Sequence, residues 1–455
     1  MLNWFEKNEK SIQDDYFSFL RFESISSEPK HKQDVLKCSL WLKDYLVKIG
    51  LNVEVFEGGG HPVLFASYDA GPDAKTLLIY HHYDVQPVDP LELWDSKPFE
   101  PEMRGNDVFA RGAADNKGQC FYTVTALRAL LEQGKKLKWN IRLLIEGEEE
   151  VGSPSLPTLL EQNKEKLKAD QLLIVDVDLP AKNVPGVTLG ARGIVTFDVT
   201  CRGSNADLHS GNHGGLALNP NKALVNMLSA LWSETGSIAI PHFYDSLETL
   251  EKEELKHYFL DFDEEEYQKK FGVRSLDMEH GISPIVSNWL RPSLEINGIW
   301  GGYTGEGFKT VIPAEAHAKL SCRLPPNLVP EEVSQQICDF LQKKSPTGMD
   351  VEVVCHGGFG GFRTSPDQEF VGVVAEAFES VFHADCRYIL TGGSIPIAIK
   401  IAEICNVSPI LIGTGLMSDN IHSPNEHFGW DRFKQGFLVM STILSDIDLD
   451  LTTEN

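Results

Sequence analysis

The sequence contains no pair of cysteines spaced to share a metal or a disulfide. Cys38, Cys120, Cys201, Cys322, Cys338, Cys355, Cys386 and Cys405 are scattered and form no CxxC. That pattern argues against a thiolate zinc site and against a stapled secreted fold, and it fits a reducing compartment. No apolar run approaches the roughly 20 residues needed to span a bilayer. The opening stretch, MLNWFEKNEKSIQDDYFSFL, interleaves acids where a secretory leader needs an apolar core. The expectation is a cytoplasmic protein without a membrane partner. Basic residues are also in deficit, 41 Lys+Arg against 66 Asp+Glu for a formal charge of -25, which is the wrong sign for a nucleic-acid partner. Neither GxSxG nor HExxH occurs, which removes the commonest serine-hydrolase and zincin signals. The glycine clusters at 58–60 and 357–361 do not open a helix after a strand, so they read as turns or hinges rather than nucleotide loops.

What is present is an ordinary globular composition, 42% apolar and 24% charged, over 455 residues. A chain of that length exceeds a single core, so two domains are expected. Residues 33–49, QDVLKCSLWLKDYLVKI, carry apolar groups at helical spacing and stop at Gly50. Short β-branched or apolar runs follow at Val53–Phe56, Thr76–Tyr80, Ile141–Ile145, Leu172–Val175 and Pro409–Ile412, with a helical segment near Lys117–Glu132. This is an α/β alternation. In such sheets ligands gather beyond the carboxyl ends of the strands, and polar, metal-competent residues follow several of these runs. From about Gly193 to Gly360 the pattern changes to runs such as IVTFDVTC and AHAKLSCRL with a charged insert. We therefore expect a two-domain α/β protein: one domain over 1–192 and 361–455, interrupted by an inserted α+β domain over 193–360.

The chemistry-bearing candidates lie after the runs. In IYHHYDVQPV, His82 and Asp84 leave the strand on one side because side-chain direction repeats every two residues. A carboxylate such as Asp84 can hold the second nitrogen of a metal-binding imidazole. Asp115 in FARGAADNKGQ stands just before the helix, where a carboxylate serves either as a cap or as a ligand. In EGEEEVGSPS the successive acids repel one another unless something positive lies near; Glu149 and Glu150 can divide the work, one binding a metal and the other holding a proton. Asp176, with Asp178 as a competitor, closes LLIVDVDLP, and His422 lies in the loop GTGLMSDNIHSPNE. Two imidazoles and three carboxylates suit Zn, Mn or Co. Three carboxylates against two dications leave about one positive charge, which favours a metal pair that activates water.

The runs HYDVQP, RGAADNKGQ, EGEEEVGS, ARGIVTFDV, CRGSNADLHSG, KTVIPAEAHAKLSCRLPPNL, TGGSIP and DNIHSPNE, in this order, resemble the successive signatures of M20 metallopeptidases, most of all the carnosinase-like dipeptidases. The resemblance implies a catalytic domain interrupted by a dimerising lid, and hence a homodimer. It implies that Asp115 bridges two divalent ions, Zn2+ first with Mn2+ or Co2+ as alternatives, with His82 and Asp176 completing one site and Glu150 and His422 the other. Asp176 is preferred over Asp178 for its spacing to Arg192. Glu149 is then the general base acting on a metal-bridging hydroxide that cleaves a dipeptide amide, and Asp84 orients His82. His209 of DLHSG is implied to stabilise the oxyanion across the dimer, and Thr310, Arg323 and Ser394 to bind the substrate. Two positions depart from the pattern: His81 stands where many relatives have Gly, and Asn116 where many have a second Asp. The alternatives are an N-acyl amino acid deacylase of the same fold, or a non-catalytic metal-binding relative, which would be free to lose Glu149.

Overall fold

The computed structural model describes residues 1–275 and 279–445. The chain forms two compact units, one of Met1–Leu189, Thr364–Ile389 and Ile397–Asn455, the other of Gly190–Arg363 with Leu390–Pro396.

The first unit is built on a mixed sheet of β1 (Asn52–Phe56), β2 (Val63–Tyr68), β3 (Thr76–His82), β4 (Asn140–Glu146), β5 (Gln171–Val175), β6 (Gly186–Ala191) and β7 (Pro409–Ile412). Their lateral order is β1-β2-β4-β3-β5-β7-β6. The four central strands run parallel, β3 to β4 and to β5, and β5 to β7. Leu77, Leu78, Ile79, Leu143, Leu144, Ile145, Leu172–Val175 and Ile410–Ile412 are all buried. Continuous apolar runs of this kind mark strands covered on both faces. Helices Lys117–Glu132 and Trp430–Leu444 pack together, and nearly every side chain of the first is buried. Helix Lys32–Lys48 stops before Gly50, whose φ of +101° ends it without a side-chain penalty. The parallel core has one consequence for function: the carboxyl ends of β3, β4, β5 and β7 lie along a single edge.

The second unit holds an antiparallel sheet ordered Ser293–Gly301, Glu315–Leu324, Gly193–Arg202, Asp350–Phe359. Strand Gly193–Arg202 alternates buried and half-buried residues along its length, the period-two signature of a sheet with one covered face. Val195, Phe197, Val199 and Cys201 pack with Leu224, Leu228, Ile337 and Leu341 from helices Pro220–Ser229 and Pro330–Lys344.

Candidate metal centre

His82 ends β3 with its side chain fully buried, and its Nε2 lies 3.0 Å from Asp115 Oδ1 and 3.7 Å from Asp176 Oδ1. The other oxygen of Asp115 is 2.9 Å from His422 Nε2, which lies 3.3 Å from Glu150 Oε2. Two three-residue groups result, His82–Asp115–Asp176 and Asp115–Glu150–His422, and within each the donor atoms fall within 4.8 Å of one another. Asp115 belongs to both. Asp178 belongs to neither; its Oδ1 instead lies close against Gly415.

The donor set fits divalent cations on electrostatic grounds. Burial, reinforced by neighbouring acids, pushes Asp176, Asp178 and Glu149 up to about 7, and it raises Glu150 as well. Hydrogen bonds to Asp115 and Glu150 pull His422 up to about 10, while burial opposes a charge on His82 and Asp176 and Asp115 outweigh it. Burial likewise opposes the Asp115 carboxylate, yet its bonds to His422 and His82 drive it below the usual carboxylate range. Every one of these trends expresses a demand for positive charge among clustered, desolvated acids. No Lys or Arg forms an ion pair with Asp115, Asp176, Glu149 or Glu150 among the described residues. Nitrogen and oxygen donors without sulfur match Zn, Mn or Co.

The surrounding bonds fix these side chains, and they sort the acids after β4. The Asp84 carboxylate accepts the backbone N–H groups of Glu149 (3.2 Å) and Glu150 (3.1 Å). His82 Nδ1 lies 3.0 Å from the Asp84 carbonyl and 3.4 Å from its carboxylate. Asp84 thus joins the end of β3 to the acidic turn. Glu148 accepts from the backbone of His61 (3.0 Å) and of Ser155 (3.2 Å), so it is a structural acid. Glu146 is fully buried, accepts from Tyr80 and Ser153, and is pushed up to about 8 chiefly by burial. Among the described residues, Glu149 has no side-chain partner of this kind.

Several supporting residues escape a reading of the sequence. Gln86 Nε2 donates to Glu150 Oε2 at 2.7 Å. Buried Glu426 accepts from Arg111 (2.8 Å) and from the backbone of Gly112, Ala114 and Asp115 (2.8, 2.9 and 3.1 Å), holding the loop that carries Asp115. The signal for Glu426 was its place in the same run as His422. Asp419 anchors that run by pairing with Arg432 Nη2 at 2.7 Å. His422 itself adopts φ +58°, an uncommon conformation outside glycine and one that clusters at functional sites.

The second unit brings together the remaining candidates in two places. His209 is exposed and pairs with Val311 in a short ladder, and Ser210 donates to the carbonyl of Thr310 at 3.1 Å. The His209 Nδ1 accepts the Gly211 N–H at 3.1 Å, which leaves Nε2 as the protonated, outward donor. Elsewhere Arg323 Nη1 donates to Ser394 Oγ at 2.6 Å. Arg192, which the sequence offered only as a spacing marker, clamps the same loop through Gly392 O (3.0 Å) and Gly393 O (3.1 Å). Arg192 and Arg323 border a cavity of about 670 Å³ with Asn288, Ser293 and Ser321. Burial, then the neighbouring Arg323, pulls Arg192 down to about 10. Two guanidiniums without a carboxylate partner among the described residues form a surface that favours an anion.

Comparison with known proteins follows the same direction. Residues 78–446 match the model of peptidase family M20/M25/M40. The chain is 30% identical over 432 residues to human Beta-Ala-His dipeptidase, covering 91% of this chain and 85% of that protein. It is 29% identical over 443 residues to a Cys-Gly metallodipeptidase of Schizosaccharomyces pombe, covering 93% of each. Among solved structures, an M20 family metallo-carboxypeptidase of Sulfolobus solfataricus superposes with a TM-score of 0.81 at 31% identity, over 95% of this chain and 98% of that one. Human carnosine dipeptidase 1 superposes with a TM-score of 0.77 at 28% identity, over 97% of each.

Proposed function

The chain belongs to peptidase family M20/M25/M40, and from that premise we propose that it is a two-metal dipeptidase whose general base is Glu149. The observation that carries this reading is the pair of three-residue groups sharing Asp115. Two divalent cations held by them, Zn2+ first and Mn2+ or Co2+ as alternatives, supply the field that acidifies water and stabilises negative charge. Glu149 takes a proton from the attacking water and delivers it to the leaving amine, a role worth roughly 10²–10⁴ in rate. Its tendency toward the protonated form, caused by burial, suits a residue that must both accept and return a proton near neutral pH. Asp84 orients His82 and the turn bearing Glu149.

Arg323 and Ser394, held together at 2.6 Å and clamped by Arg192, take the substrate's free carboxylate, and Thr310 holds its backbone. His209 donates Nε2–H to the developing oxyanion, the kind of donor worth about 10²–10³ in kcat. We assign His209 to the opposite subunit of a homodimer formed through the second unit. The support is an open sheet edge and exposed apolar side chains in that unit: the edge strand Ser293–Gly301 leaves Ile299 and Trp300 about half exposed, and Leu216 and Phe308 are 83% and 101% exposed. Soluble proteins seldom leave a long sheet edge uncovered. Eight unpaired cysteines support a reducing, cytoplasmic setting.

The deciding experiment is a panel of dipeptides, tripeptides and N-acyl amino acids assayed for released amine after loading with Zn2+, Mn2+ or Co2+. Preference for dipeptides with a free carboxylate is expected. Preference for N-acyl amino acids would replace the dipeptidase reading with that of a deacylase, and inactivity on all three with every metal would favour a non-catalytic relative.

A further inference from the structure

The two departures from the family pattern noted in the sequence, His81 and Asn116, meet in the folded chain. His81 is fully buried in β3, and its Nδ1 lies 3.0 Å from Asn116 Oδ1. The Asn116 amide nitrogen lies 2.8 Å from the Val175 carbonyl and 2.6 Å from Asp176 Oδ1. We propose that His81 and Asn116 form one positioning unit that aims the Asp176 carboxylate, with an imidazole N–H locking the amide in the orientation that donates to it.

The hydrogen-bond inventory leaves one consistent assignment. A carbonyl and a carboxylate can only accept, so the amide must present its NH2 to Val175 and Asp176 and its oxygen to His81. The oxygen needs a donor, so Nδ1 carries the proton. A neutral ring then leaves Nε2 bare, and Nε2 is indeed buried without a partner. Asn116 breaks a local rule to serve this role: it stands at the N-cap of helix Lys117–Glu132 yet makes no side-chain cap bond, although Asn is among the preferred capping residues. Local rules are usually broken where function demands it. An Asp at 116 would have no N–H to give Asp176 and would add a like charge beside it. A Gly at 81 would leave the amide oxygen unpaired and the amide free to turn its oxygen toward Asp176.

This inference rests on Asp176 being a metal ligand, and the test separates the two ideas. Metal-free protein is titrated with Zn2+ against a chromophoric chelator, and thermal melting of the same apo preparations reports folding. His81→Leu fills the space without a donor, His81→Asn restores an N–H two atoms beyond Cβ where Nδ1 sits, and Asn116→Asp is isosteric. Partners of this kind typically hold 10–100-fold in metal affinity. His81→Leu and Asn116→Asp are expected to weaken one Zn2+ equivalent by about 10–100-fold. His81→Asn should restore most of that loss, and the Leu/Asp double variant should cost no more than the worse single, because the two residues act as one. Wild-type affinity in His81→Leu would overturn the proposal, as would an equal loss in His81→Asn, which would make His81 a packing residue. Asp176→Ala serves as the control: if it binds Zn2+ like wild type, the ligand assignment itself falls and takes this proposal with it.

Discussion

Removing the Glu426 side chain tests how the loop bearing Asp115 is held. In Glu426→Ala the guanidinium of Arg111, only 1% exposed, loses its carboxylate, and the N–H groups of Gly112, Ala114 and Asp115 lose their acceptor. Breaking a buried ion pair from one side costs about 3–5 kcal/mol, and each buried donor left dry adds about 1–3 kcal/mol. Water entering the space vacated by the side chain can satisfy some of those amides, so we take the net loss as about 4 kcal/mol, near the middle of the ion-pair range. Urea unfolding of the apo protein, read at constant slope, reports it as a lower midpoint. Zinc affinity should fall as well, because Asp115 belongs to both three-residue groups. The paired variant Glu426→Met with Arg111→Met removes the orphaned charge but not the orphaned amides, so it should recover only part of the stability. A loss below about 1 kcal/mol for Glu426→Ala, the range of exposed pairs, would refute the view that this carboxylate is the loop's anchor.

Three further outcomes are expected. Chelation should abolish activity and Zn2+, Mn2+ or Co2+ restore it, with Asp115→Ala losing both metal equivalents and His422→Ala one; full activity in the metal-free protein would end the metal reading. Arg323→Lys should raise KM for substrates with a free carboxylate by about tenfold while leaving carboxamide analogues little changed, because an ammonium cannot reproduce the bidentate fork; equal effects on both would remove Arg323 from that contact. Randomly reassociated mixtures of His209→Ala and Glu149→Gln subunits should regain about a quarter of wild-type activity if His209 acts across a two-fold dimer, since half the dimers are mixed and half their sites intact. No recovery despite subunit exchange would return His209 to its own subunit.

The strands were legible where apolar runs are continuous. Thr76–Tyr80 reads directly as a buried strand, yet β3 continues through His82 because its ladder with β4 pairs His82 with Glu146; a hydrophobic pattern ends at the first polar residue, whereas the backbone bonds do not. The gathering of His82, the acidic turn and Asp176 at one edge was also readable, since parallel strands share the direction of their carboxyl ends. The roles of individual acids were not. Glu148, Glu149 and Glu150 are adjacent and alike in sequence, and only the direction of each side chain assigns Glu148 to His61 and Ser155 and Glu150 to the His422 group. Asp115 read equally as a helix cap or a ligand, and its carboxylate points to His82 and His422. The Glu426 bonds join residues more than 300 positions apart, and the His81–Asn116 contact depends on an amide orientation that no local pattern encodes.

Glu149→Gln, examined for metal content and turnover in one preparation, separates a proton-transferring Glu149 from a metal-binding one. Glutamine keeps the size and position of the side chain and removes its capacity to accept a proton. About two Zn2+ per chain are expected, as in wild type, with turnover lower by roughly 10²–10⁴. Loss of a metal equivalent would make Glu149 a ligand, and near-normal turnover would show that the proton is moved by another group; either result would contradict the assignment of Glu149 as the base.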